Sequence, residues 1–148
     1  MAKDSGKTGT GDVTPNQGET SGQPVYHHSA EDDRPIRFIG DLFTIKADTN
    51  ATRGAYSLTE TLVSPKAEGP PPHHHDSCEE AFYIASGQLD FVVDGESLSA
   101  KAGSFVVVPR GAAHVYSNPL PEPARVLVMI SPPGFEKEFE RMGEFADE

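Results

Sequence analysis

The sequence predicts an all-β protein, a closed sandwich or barrel with one short helix near its C-terminal end. Three observations predict this class. Short runs of β-branched and aromatic residues recur from about residue 37 onward, and Gly, Pro and Asp separate them at fairly even spacing. Only one stretch, close to the end of the chain, has helical periodicity. The 148 residues are enough for one domain with a substantial core.

Eight short apolar segments are predicted as strands. The run 56–63 alternates in part between polar and apolar residues, which is typical of a half-buried strand. Asp94-Gly95 follows an apolar run and predicts a tight hairpin. The predicted strands are 38–39 and 42–45 (as one strand or two), 56–63, 81–84, 89–93, 105–108, 115–116 and 125–130.

One helix is predicted over residues 135–142. Phe135, Phe139 and Met142 are spaced i, i+4 and i+7, so they would form one apolar face. Pro132-Pro133-Gly134 separates this segment from the last predicted strand, because two prolines and a glycine do not continue either element.

Residues 1–35 are predicted to be a disordered tail, and residues 36–148 the folded domain. The tail is rich in Gly, Thr, Ser, Asp and Pro and has almost no large apolar side chains. Such a segment cannot bury enough surface to offset the entropy lost on ordering. His27 and His28 lie near its end and are interpreted as solvated side chains.

Charge and composition exclude several classes of partner. The formal net charge of −11 argues against nucleic acid or an anionic membrane surface as a partner. There is no long apolar run that predicts a membrane span, and residues 1–11 lack the apolar centre of a signal peptide. Cys78 is the only cysteine, so no internal disulfide can form. We therefore expect a cytoplasmic protein.

Four residues predict a metal centre. His73 and His75 are two apart, so on a strand both side chains would point to the same face. Glu80 begins the next predicted strand, and His114 begins another. Three imidazoles and one carboxylate suit a first-row transition metal. By the same alternation, His74 and Glu79 should point outward.

Two stretches resemble the cupin superfamily. Residues 69–87, GPPPHHHDSCEEAFYIASG, resemble the first cupin motif, with His73, His75, Glu80 and Gly87 at its spacing. Residues 103–118 match the second motif at every fixed position, namely Gly103, Pro109, Gly111, His114 and Asn118. One departure concerns the loop before His73, because only three residues separate it from Gly69 where the motif usually has five.

The resemblance implies a small single-domain cupin with the fold of a double-stranded β-helix, or jelly-roll barrel. It also implies that His73, His75, Glu80 and His114 hold one divalent metal. Nickel, manganese, iron, cobalt and zinc all accept this ligand set. The alternative is a barrel that kept the glycines of the fold and lost its metal. Cys78 lies between the ligands in sequence and is interpreted as a solvated or half-buried loop thiol, since nothing basic beside it would lower its pKa.

Aromatic and long apolar residues are available to line a substrate pocket in the barrel, although such residues more often serve as plain core. An apolar pocket beside an open metal position suits a planar or aromatic small molecule. The predicted pocket residues are Tyr56, Phe82, Phe91, Phe105, Tyr116 and Met129, with Phe43 also available.

Among small cupins the resemblance is closest to quercetinase-type dioxygenases, which cleave a flavonol with dioxygen. In that interpretation Glu80 is both ligand and general base. The alternatives are a non-redox lyase, isomerase or cyclase with the same metal as a Lewis acid, and a metal- or ligand-binding module without turnover. We also expect a homodimer, with the predicted strands of residues 37–45 as a candidate open edge.

Overall fold

The computed structural model describes residues 21–145. Within this range the chain forms a single turn of 3₁₀ helix at Ala30–Asp32, ten strands and the helix α1 (Glu136–Met142). The strands are β1 (Ile36–Phe38), β2 (Asp41–Ala47), β3 (Ser57–Val63), β4 (Glu79–Ser86), β5 (Gln88–Val93), β6 (Glu96–Lys101), β7 (Phe105–Val108), β8 (His114–Ser117), β9 (Ala124–Ser131) and β10 (Glu144–Phe145).

The strands form two antiparallel sheets that enclose one core. The larger sheet has the order β10-β1-β2-β3-β9-β4-β7, and the smaller has the order β6-β5-β8. Buried apolar residues of both sheets pack together, among them Val63, Phe82, Ile84, Leu89 and Phe91. The predicted all-β class with one short helix is confirmed. The two sheets are consistent with a jelly roll, although hydrogen bonds do not close them into one barrel in the described range.

The buried face of β3 is unusually polar. Its residues alternate strictly, and Ser57, Thr59, Thr61 and Val63 are all buried while the residues between them are half-buried. In register with its neighbours, Ser57 lies opposite Ile130 of β9, which itself lies opposite Glu80 of β4. The wall of the interior that β3 contributes is therefore a row of hydroxyl groups.

The predicted hairpin at Asp94-Gly95 is confirmed. Both residues have positive φ, +48° and +81°, as a tight two-residue turn between antiparallel strands requires. The turn joins β5 to β6, and β6 is a strand that the sequence analysis did not identify.

The segment proposed as an open edge is paired on both sides. β1 pairs with β10 and β2, and β2 pairs with β1 and β3. Within the described range, the edges of the larger sheet are β10 and β7 instead. Residues 37–45 are therefore not an open edge, and the prediction that they form the edge for dimerisation is wrong. The homodimer itself stays a prediction.

Part of the predicted tail contacts the domain. Tyr26 donates a hydrogen bond of 2.7 Å to the carbonyl of Lys46 in β2. Asp33 bridges His28 and Lys46 at 2.8 and 2.6 Å, so His28 is half-buried rather than solvated. Residues 1–20 lie outside the described residues, and the boundary at residue 35 stays a prediction. No described helix is long and apolar enough to cross a membrane.

Helix α1 packs over one end of the larger sheet through two of its three predicted apolar residues. Phe139 stacks on Phe43 with 4.4 Å between ring centroids, and Phe135 contacts Phe139 edge-on at 5.3 Å. Met142 is half exposed and does not belong to this face. The helix ends at Met142, and Gly143 is extended and leads into β10. A Cβ at Gly143 would lie 2.2 Å from the side chain of Ile36.

A buried carboxylate anchors the start of α1. Glu136 is 1 % exposed and accepts hydrogen bonds of 2.8 Å from the backbone N–H groups of Thr49 and Gly134, and a further one from the Thr49 hydroxyl. Burial raises the pKa of the Glu136 carboxyl, but the bonds from Thr49 and Gly134 outweigh it and hold the pKa below its ordinary value.

We expect Glu136→Gln to lower the free energy of unfolding at pH 7 by about 1–3 kcal/mol, because an amide cannot accept all of these bonds. The folded-state pKa lies below the unfolded value of about 4.3, so the carboxylate stabilises the fold above that pH. The contribution is lost as pH falls through the folded-state pKa. Denaturant unfolding at pH 7 and at lower pH should therefore show the two proteins converging on acidification.

Glu138→Gln is the matched control on the same helix. Glu138 pairs only with Arg141 at the surface, so its substitution should change the free energy of unfolding by less than about 0.5 kcal/mol. A stability loss in Glu136→Gln that persists unchanged at low pH would contradict the role of the carboxylate.

Candidate metal centre

Backbone pairing holds the loop before β4 against the start of β8. His73 and His114 exchange two backbone hydrogen bonds of 3.1 and 2.8 Å, an isolated antiparallel bridge. The N–H of Gly111 donates to the carbonyl of His75 at 2.8 Å. The loop that carries two of the predicted ligands is therefore fixed beside the strand that carries a third.

The four predicted ligands come together. His73, His75, Glu80 and His114 each offer one ligand atom, and these atoms all lie within 4.8 Å of one another. His114 and Glu80 are buried, at 2 % and 7 % exposure, and the other two are half-buried. The cluster suits a metal ion, and binding of an ion by these side chains stays a prediction. The flanking His74 and Glu79 are exposed, as the alternation predicts.

Backbone carbonyls orient two of the imidazoles. The Nδ1 of His73 lies 2.9 Å from the carbonyl of Pro71, and the Nδ1 of His114 lies 2.9 Å from the carbonyl of Ala112. A carbonyl oxygen only accepts, so Nδ1 carries the hydrogen and donates it. In the neutral ring the lone pair is then on Nε2, the nitrogen that a metal takes when Nδ1 is so engaged.

The contact between His114 and Glu80 requires a positive charge. The Nε2 of His114 lies 2.8 Å from Oε2 of Glu80, so a proton or a cation must lie between them. Burial lowers the pKa of His114, but the hydrogen bond to Glu80 outweighs it and the net pKa is raised. Burial lowers the pKa of His75, which favours its neutral form.

One nitrogen of the cluster is buried without any hydrogen-bond partner. This is Nε2 of His75, and the nearest charged atom, Oε1 of Glu80, lies 3.6 Å away. An unsatisfied buried polar atom costs free energy. Since this nitrogen lies beside two further imidazoles and one carboxylate, a first-row transition metal fits the residues present.

A largely apolar cavity of about 100 Å³ opens beside the cluster, several times the space that one water molecule needs. Glu80 and His73 belong both to the cluster and to the cavity wall. Half of the other lining residues are aromatic, including Phe38, Phe43, Phe82, Phe135 and Phe139.

Only part of the predicted pocket faces this cavity. Phe82 and Tyr116 line it, whereas Phe91 is a buried core residue that does not. Tyr56, Phe105 and Met129 are exposed, at 39 %, 61 % and 36 %, and do not line this cavity. Strand alternation explains Phe105 and Met129, because Val108 of β7 and Ile130 of β9 face inward and residues an odd number away face outward.

The cavity also contains residues that the sequence analysis does not assign to the pocket, among them Thr59, Thr61, Phe135 and Phe139. The first two share the parity of Val63 on β3, so strand alternation was a signal that could have found them. The sequence places Phe135 and Phe139 on one helix face, but it carries no signal for what that face covers.

Cys78 is buried and is not a reactive thiol. Its exposure is 8 %, so it is more buried than the predicted loop thiol. Burial raises the pKa of the Cys78 thiol, and the nearby Glu80 raises it further. A thiol held protonated in this way is a poor nucleophile.

With this geometry in view, two sequence comparisons identify the family. Residues 60–130 match the family model of the Cupin domain. An uncharacterised protein of Streptomyces coelicolor is 33 % identical over 86 residues, which cover 58 % of this chain and 74 % of that protein. The chain belongs to the cupin family. The predicted resemblance is therefore confirmed.

Proteins with different activities are similar to this cupin. Quercetin 2,3-dioxygenase of Bacillus subtilis is 31 % identical over 94 residues, which cover 63 % of this chain but only 27 % of the enzyme. The solved structure of the polyketide cyclase RemF from Streptomyces resistomycificus superposes with a TM-score of 0.60 at 23 % identity, covering 71 % of this chain and 78 % of RemF. At that identity the superposition shows the shared fold alone.

We expect His75→Ala to lower metal affinity by more than about 100-fold, beyond the effect of losing an outer hydrogen-bond partner. His74→Ala is the matched control and should retain the metal, because His74 points away from the cluster. Elemental analysis of both variants, purified without added metal, measures the difference.

Thermal unfolding gives a second readout for the same pair of variants. Added Mn²⁺ or Ni²⁺ should raise the melting temperature of the wild type and of His74→Ala, since an ion bound only to the folded state stabilises it. It should leave His75→Ala unchanged. Metal loss in His74→Ala with retention in His75→Ala would show that the assigned register is wrong.

Proposed function

We propose that this cupin is a metal-dependent dioxygenase that cleaves a flavonol-like or other enolic or aromatic small molecule. The observation that carries the proposal is the position of Glu80, which contacts the ligand cluster and also lines the apolar cavity. A substrate oxygen brought to the cluster would thus meet both a metal and a base.

The bound metal would supply an open position for a chelating oxygen and for dioxygen. The chain itself supplies the remaining groups. Glu80 takes the proton from the substrate hydroxyl, which leaves an oxygen anion beside the imidazoles. His114 donates its Nδ1 hydrogen to the carbonyl of Ala112, so its ring keeps one orientation while this proton moves.

The cavity favours a flat, largely apolar substrate. Phe82 lies on one wall, and Phe135 and Phe139 of α1 lie at the helix-covered end. Phe135 also contacts the ring of His75 edge-on at 5.0 Å. A substrate seated in this cavity would displace water, which strengthens the interaction of Glu80 with a substrate proton because the local dielectric falls.

A second candidate function is a non-redox lyase, isomerase or cyclase in which the metal acts as a Lewis acid. The same Glu80 would serve as its base, and the polyketide cyclase RemF has the same fold. A binding module without turnover is the third candidate. The chain spans only 27 % of the Bacillus dioxygenase, so that enzyme's activity is a proposal for this chain.

The proposed partners are a small-molecule substrate and dioxygen. The acidic net charge supports the absence of nucleic acid and anionic membrane among the partners. The homodimer and the cytoplasmic location remain predictions that light scattering and fractionation would test.

Oxygen uptake separates the candidate functions. The protein is purified without added metal, its metal content is measured, and it is then screened against phenols and enols including quercetin. Consumption of dioxygen with loss of substrate supports the dioxygenase. Product without oxygen uptake supports the lyase, isomerase or cyclase, and retention of a small molecule without product supports the binding module.

We expect Glu80→Gln to lower metal-normalised turnover by about 10²- to 10⁴-fold, because an amide cannot accept the substrate proton. The amide oxygen still offers a ligand atom of similar position, so metal content should fall less than activity. The measurement is steady-state turnover divided by metal content. Glu79→Gln, an exposed neighbour, is the matched control. Equal metal-normalised turnover in Glu80→Gln and wild type would reduce Glu80 to a ligand only.

A further inference from the structure

One hydroxyl group on the cavity wall is buried without a protein partner. Thr61 is 2 % exposed, and its Oγ1 has no hydrogen-bond partner. Tyr116 is half-buried and also lines the cavity. An unpaired hydroxyl in a buried apolar setting costs free energy, so Thr61 requires a reason beyond stability.

The two residues come from different sheets, and each lies along its strand from the level of a cluster residue. Thr61 belongs to the larger sheet and Tyr116 to the smaller. Register places Ser57, not Thr61, at the level of Glu80, so Thr61 lies four residues further along, about 13 Å in strand distance. Tyr116 is two residues beyond His114 on β8, about 7 Å along the strand.

Neither side chain is explained by its apolar contacts. The ring of Tyr116 packs against Phe82 and Phe91 at 6.0 and 6.3 Å between centroids, which a phenylalanine would do equally well. A valine has the shape of threonine and the same preference for strands, so β3 does not require the Thr61 hydroxyl.

We propose that Tyr116 and Thr61 form a polar anchor that hydrogen-bonds a ligand hydroxyl at the end of the cavity away from the metal cluster. This inference rests on the proposed function and narrows its substrate class. The ligand would carry two separate oxygen functions joined by an apolar, planar body. One is a chelating pair for the metal, and the other is a ring hydroxyl for the anchor.

Two flavonols test the anchor in the metal-loaded protein without oxygen, so that binding is measured and not turnover. Quercetin and 3-hydroxyflavone carry the same chelating hydroxyl and ketone, but only quercetin has further ring hydroxyls. Wild type should bind quercetin more tightly. Tyr116→Phe and Thr61→Val should each raise the dissociation constant of quercetin about three- to tenfold. In both variants the dissociation constant of 3-hydroxyflavone should stay within about twofold of the wild-type value.

Controls separate this role from a structural one. Tyr83→Phe removes a hydroxyl from the exposed outer face and should change neither constant. Thr61→Val should keep or raise the melting temperature, because it removes an unpaired buried hydroxyl. Thr61→Val and Tyr116→Phe should both retain the metal content of the wild type.

The outcomes distinguish the two proposals. An equal loss of affinity for both flavonols in the variants, or equal affinity of the wild type for both, overturns the anchor. Either result leaves the proposed chelating site unaffected. A wild type that binds neither flavonol overturns the anchor together with the flavonol-like substrate class. Tighter quercetin binding that the variants abolish, without oxygen uptake in air, supports the anchor and removes the dioxygenase.

Discussion

The candidate site depends on the backbone pairing of His73 with His114. Their two hydrogen bonds join a loop without regular structure to the first residue of β8, and so bring together imidazoles 41 positions apart in the chain. Gly69 makes this possible at the other end of the loop. Its φ is +76°, and a Cβ there would lie 1.8 Å from the carbonyl oxygen of Tyr116. Only glycine lets the loop lie this close to β8.

The same loop geometry explains why the short spacing before His73 is compatible with the cluster. Three prolines follow Gly69, and their fixed φ angles hold the chain extended along β8 until His73. The carbonyl of Pro71 then accepts the Nδ1 hydrogen of His73. The proline run thus places His73 and fixes the orientation of its ring, and the four side chains come together although the loop is shorter than the family spacing.

The sequence predicted the cluster better than its surroundings, for a physical reason. The alternation of His73 and His75, and the position of Glu80 on β4, are local properties that spacing reveals. The outward orientation of Phe105 depends on which residue of β4 it pairs with, and that register is set by tertiary packing. β6 carries mostly polar side chains and β10 has two residues, so neither showed the pattern of a half-buried strand.

The position of Glu80 also decides which of its oxygens can act as the base. Oε2 lies 2.8 Å from Nε2 of His114, while Oε1 lies 3.6 Å from Nε2 of His75. The first contact is within hydrogen-bond distance and the second is not. Oε1 is therefore the oxygen with free acceptor capacity, and Glu80 also lines the cavity. In the proposed function, Oε2 would face the metal together with Nε2 of His114, and Oε1 would take the proton from the substrate.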